Sequence, residues 1–304
     1  MIDAVTLRQL RYLVAVADTL HFGRAASACH VSQPSLSAQI QQLEDALGVA
    51  LVERTQRRVL LTPAGREVVA RARRILGEVS DLAAFARGAG APLSGEVRLG
   101  VIPTLAPYYL PGVLPCLRAE HPDLKLLLRE DLTGRLLDML RAGRLDALIL
   151  ALPVDDPGLE SAPLFDEPFH VALPAGHPLA AHESLSEDAL QGERLLLLEE
   201  GHCFRDQALA VCGFDARGGD RDGFAGTSLN TLCEMVAGRI GITLLPALAA
   251  ARAPAGVETR PFTAPAPSRR MGLAWRRGSP RDGELRLLGD CLRAHAPPGV
   301  TPAG

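Results

Sequence analysis

Apolar residues at helical spacing open the chain. Leu7, Leu10, Leu13, Val14 and Ala17 share one face of a segment running Thr6–Thr19, which predicts an amphipathic helix. The small-residue run from Phe22 to Cys29 predicts a second, short helix that a neighbour can approach closely. Ser32 suits an N-cap, and Pro34 suits the first turn, where its missing N–H costs nothing. A third helix therefore runs from Gln33 to Leu47, with Leu36, Ile40, Leu43 and Leu47 inward, and stops at Gly48. Leu51–Thr62 reads as a two-stranded wing. From Thr62-Pro63 a long pattern rich in alanine, valine and leucine continues to about Arg87, and Gly88–Pro92 reads as a flexible linker. That stripe is too long for a domain of some sixty residues to bury, which predicts a helix-to-helix dimer seam.

Beyond Gly95 the pattern alternates between strand-like and helical runs. Strands are expected at Val97–Ile102, Leu124–Arg129, Ala147–Leu152, His170–Leu173, Arg194–Leu198, Ile242–Leu245 and Met271–Trp275. Helices are expected between them, at Arg135–Ala142 and Leu229–Ala237 among others. This predicts α/β architecture with parallel sheets, in two lobes. The lobe crossings fall near Phe165–Phe169 and Pro265–Met271, and a cleft between lobes is a ligand site. No GxGxxG or P-loop occurs, so nothing supports nucleotide binding.

The helix pair has the form of a helix-turn-helix. Its outward positions Gln33, Ser35, Ser37, Gln39 and Gln41 are short, uncharged hydrogen bonders. Glutamine reads adenine, while serine and the N–H groups of the helix start hold phosphate, so Ser32, Gln33, Pro34, Ser35, Ser37 and Gln39 are the candidate DNA-facing residues. Arg54, Gln56, Arg57 and Arg58 fall at the wing turn, where a minor-groove or backbone contact is made. A helical bundle with an arginine-rich surface is the competing reading.

Charge sharpens this picture. The net charge is -3, but residues 1–90 hold eleven arginines against eight acids, and seven of those arginines lie between Leu51 and Arg74. Charge alone fits either a polyanion site or a solvated helix face. A composition 47% hydrophobic and 22% charged is that of a globular protein. No apolar run is long enough to span a membrane, and Arg8, Arg11 and Asp18 interrupt any signal-peptide pattern, so a cytoplasmic protein with no membrane partner is expected. In that compartment six cysteines are not a structural disulfide set.

Two of those cysteines stand out. A strand ends near Leu198, Gly201 breaks it, and His202-Cys203 then opens a helix to about Val211. A thiol at a helix N-terminus, with Arg205 and His202 close in sequence, favours its thiolate, the nucleophile toward peroxide oxygen. Cys212 lies nine residues on, about 13 Å away if all are helical, whereas a disulfide needs roughly 4.4–6.8 Å. Closing such a pair would unwind the helix. Two isolated thiols are the bland reading, and a zinc site of His202, Cys203 and Cys212 has spacings untypical of that metal. Cys29, Cys116, Cys233 and Cys291 read as small buried hydrophobes.

Residues 6–87 resemble the winged helix-turn-helix and linker helix of LysR-type transcriptional regulators. The likeness lies in Leu-Arg-Gln-Leu-Arg-Tyr at 7–12, Ala-Ala at 25–26 and Val-Ser-Gln-Pro-Ser-Leu-Ser at 31–37. It continues in Gln-Leu-Glu at 42–44, Leu-Gly-Val at 47–49, Glu-Arg-Thr at 53–55 and Leu-Thr-Pro-Ala-Gly at 61–65. The resemblance implies a DNA-binding domain (1–60), a linker and dimerisation helix with hinge (61–91), and a regulatory domain of periplasmic-binding-protein type (92–304). Its lobes would be about 92–165 with 270–304, and about 166–269. It also implies a homodimer or homotetramer acting on promoter DNA with RNA polymerase, and no enzyme.

Gly-His-Cys-Phe-Arg-Asp-Gln-Ala at 201–208, followed by Cys212, resembles the redox signature of the peroxide-sensing activators of that family, which control oxidative-stress genes. Val-Ile-Pro-Thr at 101–104, Gly241–Leu248 and Arg269-Arg270 extend the likeness. It implies that Cys203 is peroxidatic and Cys212 resolving, and that Thr104 and Thr133 hold hydrogen peroxide and water. His202, Arg205, Asp206 and Arg270 would surround the site, with no cofactor or metal. Gly223 and Ala225 depart from the histidine and arginine often found there. A regulator answering a small organic ligand between its lobes is the alternative, and a thiol peroxidase a third, which leaves the N-terminal domain without a purpose.

Overall fold

The computed structural model describes residues 5–54, 59–87, 93–212 and 225–303. The chain divides into two compact units, residues 1–89 with 141–144, and 90–140 with 145–304.

In the first unit α1 (Leu7–Thr19), α2 (Phe22–Ala28) and α3 (Gln33–Leu47) pack around Leu13, Val16, Leu36, Ile40 and Leu43. Each helix start has a local cause. Thr6 and Gln9 form a reciprocal capping box on α1. His21 Nδ1 accepts from the amide of Gly23 at α2, and Ser32 Oγ accepts from that of Ser35 at α3. α3 ends on Gly48 in the left-handed region, φ 68°. The wing is the antiparallel pair β1 (Val52–Arg54) and β2 (Val59–Leu61). Buried Glu44 ties α3 to it, since Glu44 Oε1 accepts from the amides of Leu51 at 2.7 Å and Val52 at 3.0 Å. α4 (Pro63–Arg87) then begins so close to the wing that a Cβ on Gly65 would lie 2.0 Å from the Leu51 carbonyl oxygen. Only glycine fits there. Val69 and Ala72 of α4 join this core, whereas Ile75, Val79 and Leu82 stay exposed.

The second unit has two hydrophobic cores. One gathers β3 (Gly95–Val101), α5 (Ala106–Glu120), β4 (Leu124–Glu130), α6 (Thr133–Arg141), β5 (Ala147–Leu152) and α10 (Asp282–Ala294) around Leu99, Ile149, Phe165, Leu273 and Trp275. The other gathers β7 (Leu197–Leu198), α7 (Cys203–Cys212), β8 (Ala225–Gly226), α8 (Leu229–Ala237), β9 (Thr243–Pro246), α9 (Ala247–Ala250) and β10 (Val257–Pro261) around Phe169, Leu196, Phe204 and Val236.

One long strand runs through both. β6 (Leu159–Pro174) pairs with β11 (Ser268–Arg276) and the short β12 (Thr301–Pro302) in its first part, then with β9 and β10 in its second. The expectation of parallel sheets is corrected here. β3–β4, β3–β5 and β7–β8 are parallel, but β11 with β5 and every pairing of β6 are antiparallel. The long strand β6 carries the chain from one lobe to the other without a helical crossover. No helix among the described residues is long and apolar enough to cross a membrane.

Candidate functional site

The second lobe ends β7 at Leu198, turns through Gly201 at φ 94°, and starts α7 at Cys203. Arg205 fixes this start, since its Nη1 donates to the Leu198 carbonyl at 2.8 Å. Phe204 anchors the helix in the second core, edge-on to Phe169 with ring centroids 5.3 Å apart. Cys203 faces the other way and packs, half-buried and with a free thiol, against the first core. Its place at the first residue of α7 exposes it to the positive end of the helix dipole. Cys212 closes the same helix, and its side chain lies outside the described residues.

His202 is buried, and burial pushes its imidazole pKa below the ordinary value against the opposing pull of Glu199. Burial therefore favours the uncharged form of the ring. It lines a cleft of about 250 Å³ with Pro103, Tyr108, Asp131, Leu132 and Asn230. Tyr108 Oη and Asn230 Oδ1 meet across the lobes at 3.2 Å. Desolvation raises the Tyr108 pKa to about 12, so this phenol stays protonated.

Thr104 is buried, and the arginine that meets it is Arg269, not Arg270. Arg269 donates from Nη1 to Thr104 Oγ1 at 2.8 Å and from Nη2 to the Thr104 carbonyl at 3.0 Å. It also pairs with Glu167, both side chains fully buried, and its guanidinium lies 5.6 Å from the centre of the Phe204 ring. Glu167 in turn accepts from the amide of Leu248 at 3.0 Å. Arg270, named from the sequence, is exposed and forks onto Asp166 at 2.8 and 3.0 Å. The reason is strand alternation. β11 opposes Arg269 to Glu167 and Arg270 to Asp166, and consecutive side chains leave a strand on opposite faces. Thr133 opens α6 beside the cleft residue Leu132 and is half-buried. Asp206 is exposed on α7, away from the cleft lining.

On the first unit Ser32, Gln33, Pro34 and Ser35 are exposed at the start of α3, while Ser37 and Gln39 are half-buried. Gln39 Nε2 donates to Gln42 Oε1 at 2.9 Å. The backbone of Arg54 ends β1; its side chain, with Gln56, Arg57, Arg58 and Gly223, lies outside the described residues. Cys233 is buried as expected, but Cys29, Cys116 and Cys291 are only partly so, which corrects the reading of them as buried hydrophobes. Arg269, Glu167, Phe204 and Glu44 were missed; the adjacent Arg269-Arg270 pair held the signal without saying which member turns inward.

Residues 7–66 match the family model of the bacterial regulatory helix-turn-helix protein, lysR family, and residues 90–297 match that of the LysR substrate binding domain. The chain is 46% identical over 293 residues to a hydrogen peroxide-inducible genes activator of Pectobacterium carotovorum, covering 96% of this chain and 97% of the relative. It is 47% identical over 292 residues to the DNA-binding transcriptional dual regulator OxyR of Escherichia coli K12, covering 95% of each. A full-length OxyR variant from Pseudomonas aeruginosa superposes with a TM-score of 0.76 at 41% identity, covering 95% of both chains. A peroxide-bound OxyR mutant from Corynebacterium glutamicum gives 0.66 at 37% identity, covering 95% of this chain and 92% of that one.

Proposed function

The chain belongs to the LysR family of bacterial helix-turn-helix regulators, and from that premise we propose that it senses hydrogen peroxide through Cys203 and Cys212 and changes promoter transcription in response. One observation carries the reading: the two cysteines are the first and last residues of a single helix, α7. The Cys203 thiolate attacks one peroxide oxygen and the O–O bond breaks. Cys203 becomes a sulfenic acid and hydroxide leaves. The Cys212 thiol then displaces that hydroxyl as water, leaving a Cys203–Cys212 disulfide. Sulfur gives up two electrons, and peroxide accepts them.

The geometry makes that bond a switch. Across a ten-residue helix the two Cα atoms lie about 13 Å apart, and a disulfide holds them at roughly 4.4–6.8 Å. α7 therefore unwinds when the bond forms. Thr104, held by Arg269, and Thr133 are the hydroxyls assigned to peroxide and water. Arg269 takes the place first given to Arg270, and His202 acts as a neutral partner. Arg205 positions the helix start.

DNA is held by the start of α3, at Ser32, Gln33, Pro34 and Ser35, and by the wing arginines. The exposed apolar stripe Ile75, Val79 and Leu82 of α4 supports pairing with a second copy, as a homodimer or homotetramer. RNA polymerase as a partner and a cytoplasmic location complete the reading. The decisive experiment maps all six cysteines by alkylation before and after a low dose of peroxide, alongside a promoter footprint. A Cys203–Cys212 disulfide with a changed footprint, both lost in Cys203→Ser, is expected; a normal response in Cys203→Ser overturns the reading. The inter-lobe cleft supports a second reading, a small organic effector, whose mark would be saturable ligand binding unaffected by Cys203→Ser.

A further inference from the structure

Away from the redox helix, the first lobe gathers metal-type donors where the end of α5 meets the end of α10. Glu120 closes α5 and His121 is its C-cap; Cys291 and His295 sit one turn apart at the end of α10. The two helices are tied to each other, since buried Tyr109 in the first turn of α5 donates from Oη to the Leu292 carbonyl at 2.9 Å. Cys291 Sγ lies 3.4 Å from His121 Nε2, and ligand atoms of Glu120, His121 and Cys291 all fall within 4.8 Å of one another. His295 Nε2 lies 3.1 Å from Glu120 Oε1, while its Nδ1 meets the Cys291 carbonyl at 2.9 Å.

The sulfur–nitrogen separation matches a coordination sphere, and the carboxylate lies near enough to join it. A tetrahedral zinc ion with Zn–S of about 2.3 Å and Zn–N of about 2.0–2.1 Å holds sulfur and nitrogen roughly 3.5 Å apart. Thiolate, imidazole and carboxylate together form the donor set of zinc and its neighbours, not of magnesium or calcium. We propose that Cys291, His121 and Glu120 bind a divalent transition metal ion of the zinc class, with His295 orienting the Glu120 carboxylate and water completing the sphere. The outer contact has the usual form: a ligating carboxylate held by a further hydrogen-bonding group. Without a cation, burial pushes the Cys291 thiol up, and Glu120 and Asp290 add to that. A bound dication removes the thiol proton and reverses the local balance. Such an ion would clamp α5 to α10 in the first lobe. Glu120-His121 and Cys291–His295 are 170 residues apart, too far for any sequence motif to reveal them together.

The test uses the full-length protein, metal-free and reduced with a phosphine, titrated with Co²⁺ and then with Zn²⁺. One equivalent of cobalt per chain is expected, with sulfur-to-cobalt charge-transfer absorption that zinc bleaches. Cys291→Ser should abolish the band. Glu120→Gln, at an exposed side chain that tolerates substitution, should weaken binding at least about tenfold. Cys116→Ser and Cys203→Ser should leave the band intact. No band in the parent protein means the 3.4 Å contact is a hydrogen bond only, and overturns the proposal. So does a band that survives Cys291→Ser but not Cys203→Ser, which places the metal on the redox helix.

Discussion

A single side chain decides much of how the regulatory unit holds together. Arg269 is fully buried and satisfies Glu167, Thr104 and the face of Phe204 at once. Arg269→Met leaves the Glu167 carboxylate buried without its counter-charge, which should cost about 3–5 kcal/mol in urea unfolding. Arg270→Ala removes an exposed pair and should stay within about 1 kcal/mol. Equal effects would contradict the assignment of the inward arginine. The sequence showed two neighbouring arginines, and the side each one takes depends on the register of β11 against β6, which lies beyond any local signal. Histidine adds a pH test. Burial lowers the pKa of both His202 and His170 in the folded state, against Glu199 and Glu167 respectively. The unfolded chain then binds more protons below about pH 6.5, so stability is fully present above that value and lost as pH falls. Urea midpoints should drop between about pH 7.5 and 5.5, and less steeply in His202→Asn. A flat profile would mean that neither ring is held neutral.

At the scale of elements, the proposed Cys203–Cys212 disulfide requires α7 to change. Its amides from 207 onward should resist hydrogen exchange in the dithiol protein and exchange freely once peroxide has closed the disulfide. Unchanged protection would show that the bond forms without unwinding. The boundaries of α7 were legible, because Gly201 breaks the strand before it, and so were α1, α3 and α4, whose periodic stripes and caps agree with the structure. β6 was not. Only His170–Leu173 of its sixteen residues looked like a strand. Pro163, Pro168, Asp166 and Glu167 interrupt the apolar run, and proline is a poor residue for a paired strand. The ladder tolerates Pro163 beside an irregularity, where the register with β11 shifts between Met271 and Gly272.

For the whole molecule, the arginine-rich stripe of 51–74 and the Cys203–Cys212 helix reside in different units of the chain. Arginine contacts to phosphate release counterions, so promoter affinity should fall with salt along a log–log slope of about -0.9 per phosphate neutralised. Arg66→Ala and Arg74→Ala, on α4, should flatten that slope only if those side chains meet the backbone of DNA. A salt-independent affinity would refute the electrostatic reading of the basic stripe.

The continuous course of β6 through both cores has a further consequence for dissection. A truncation placed between residues 166 and 169 would leave each half with a severed strand and bare amides along a raw edge, prone to cling to other copies. The regulatory unit is thus indivisible: neither half can be excised, swapped or expressed alone, even though each encloses its own oily interior.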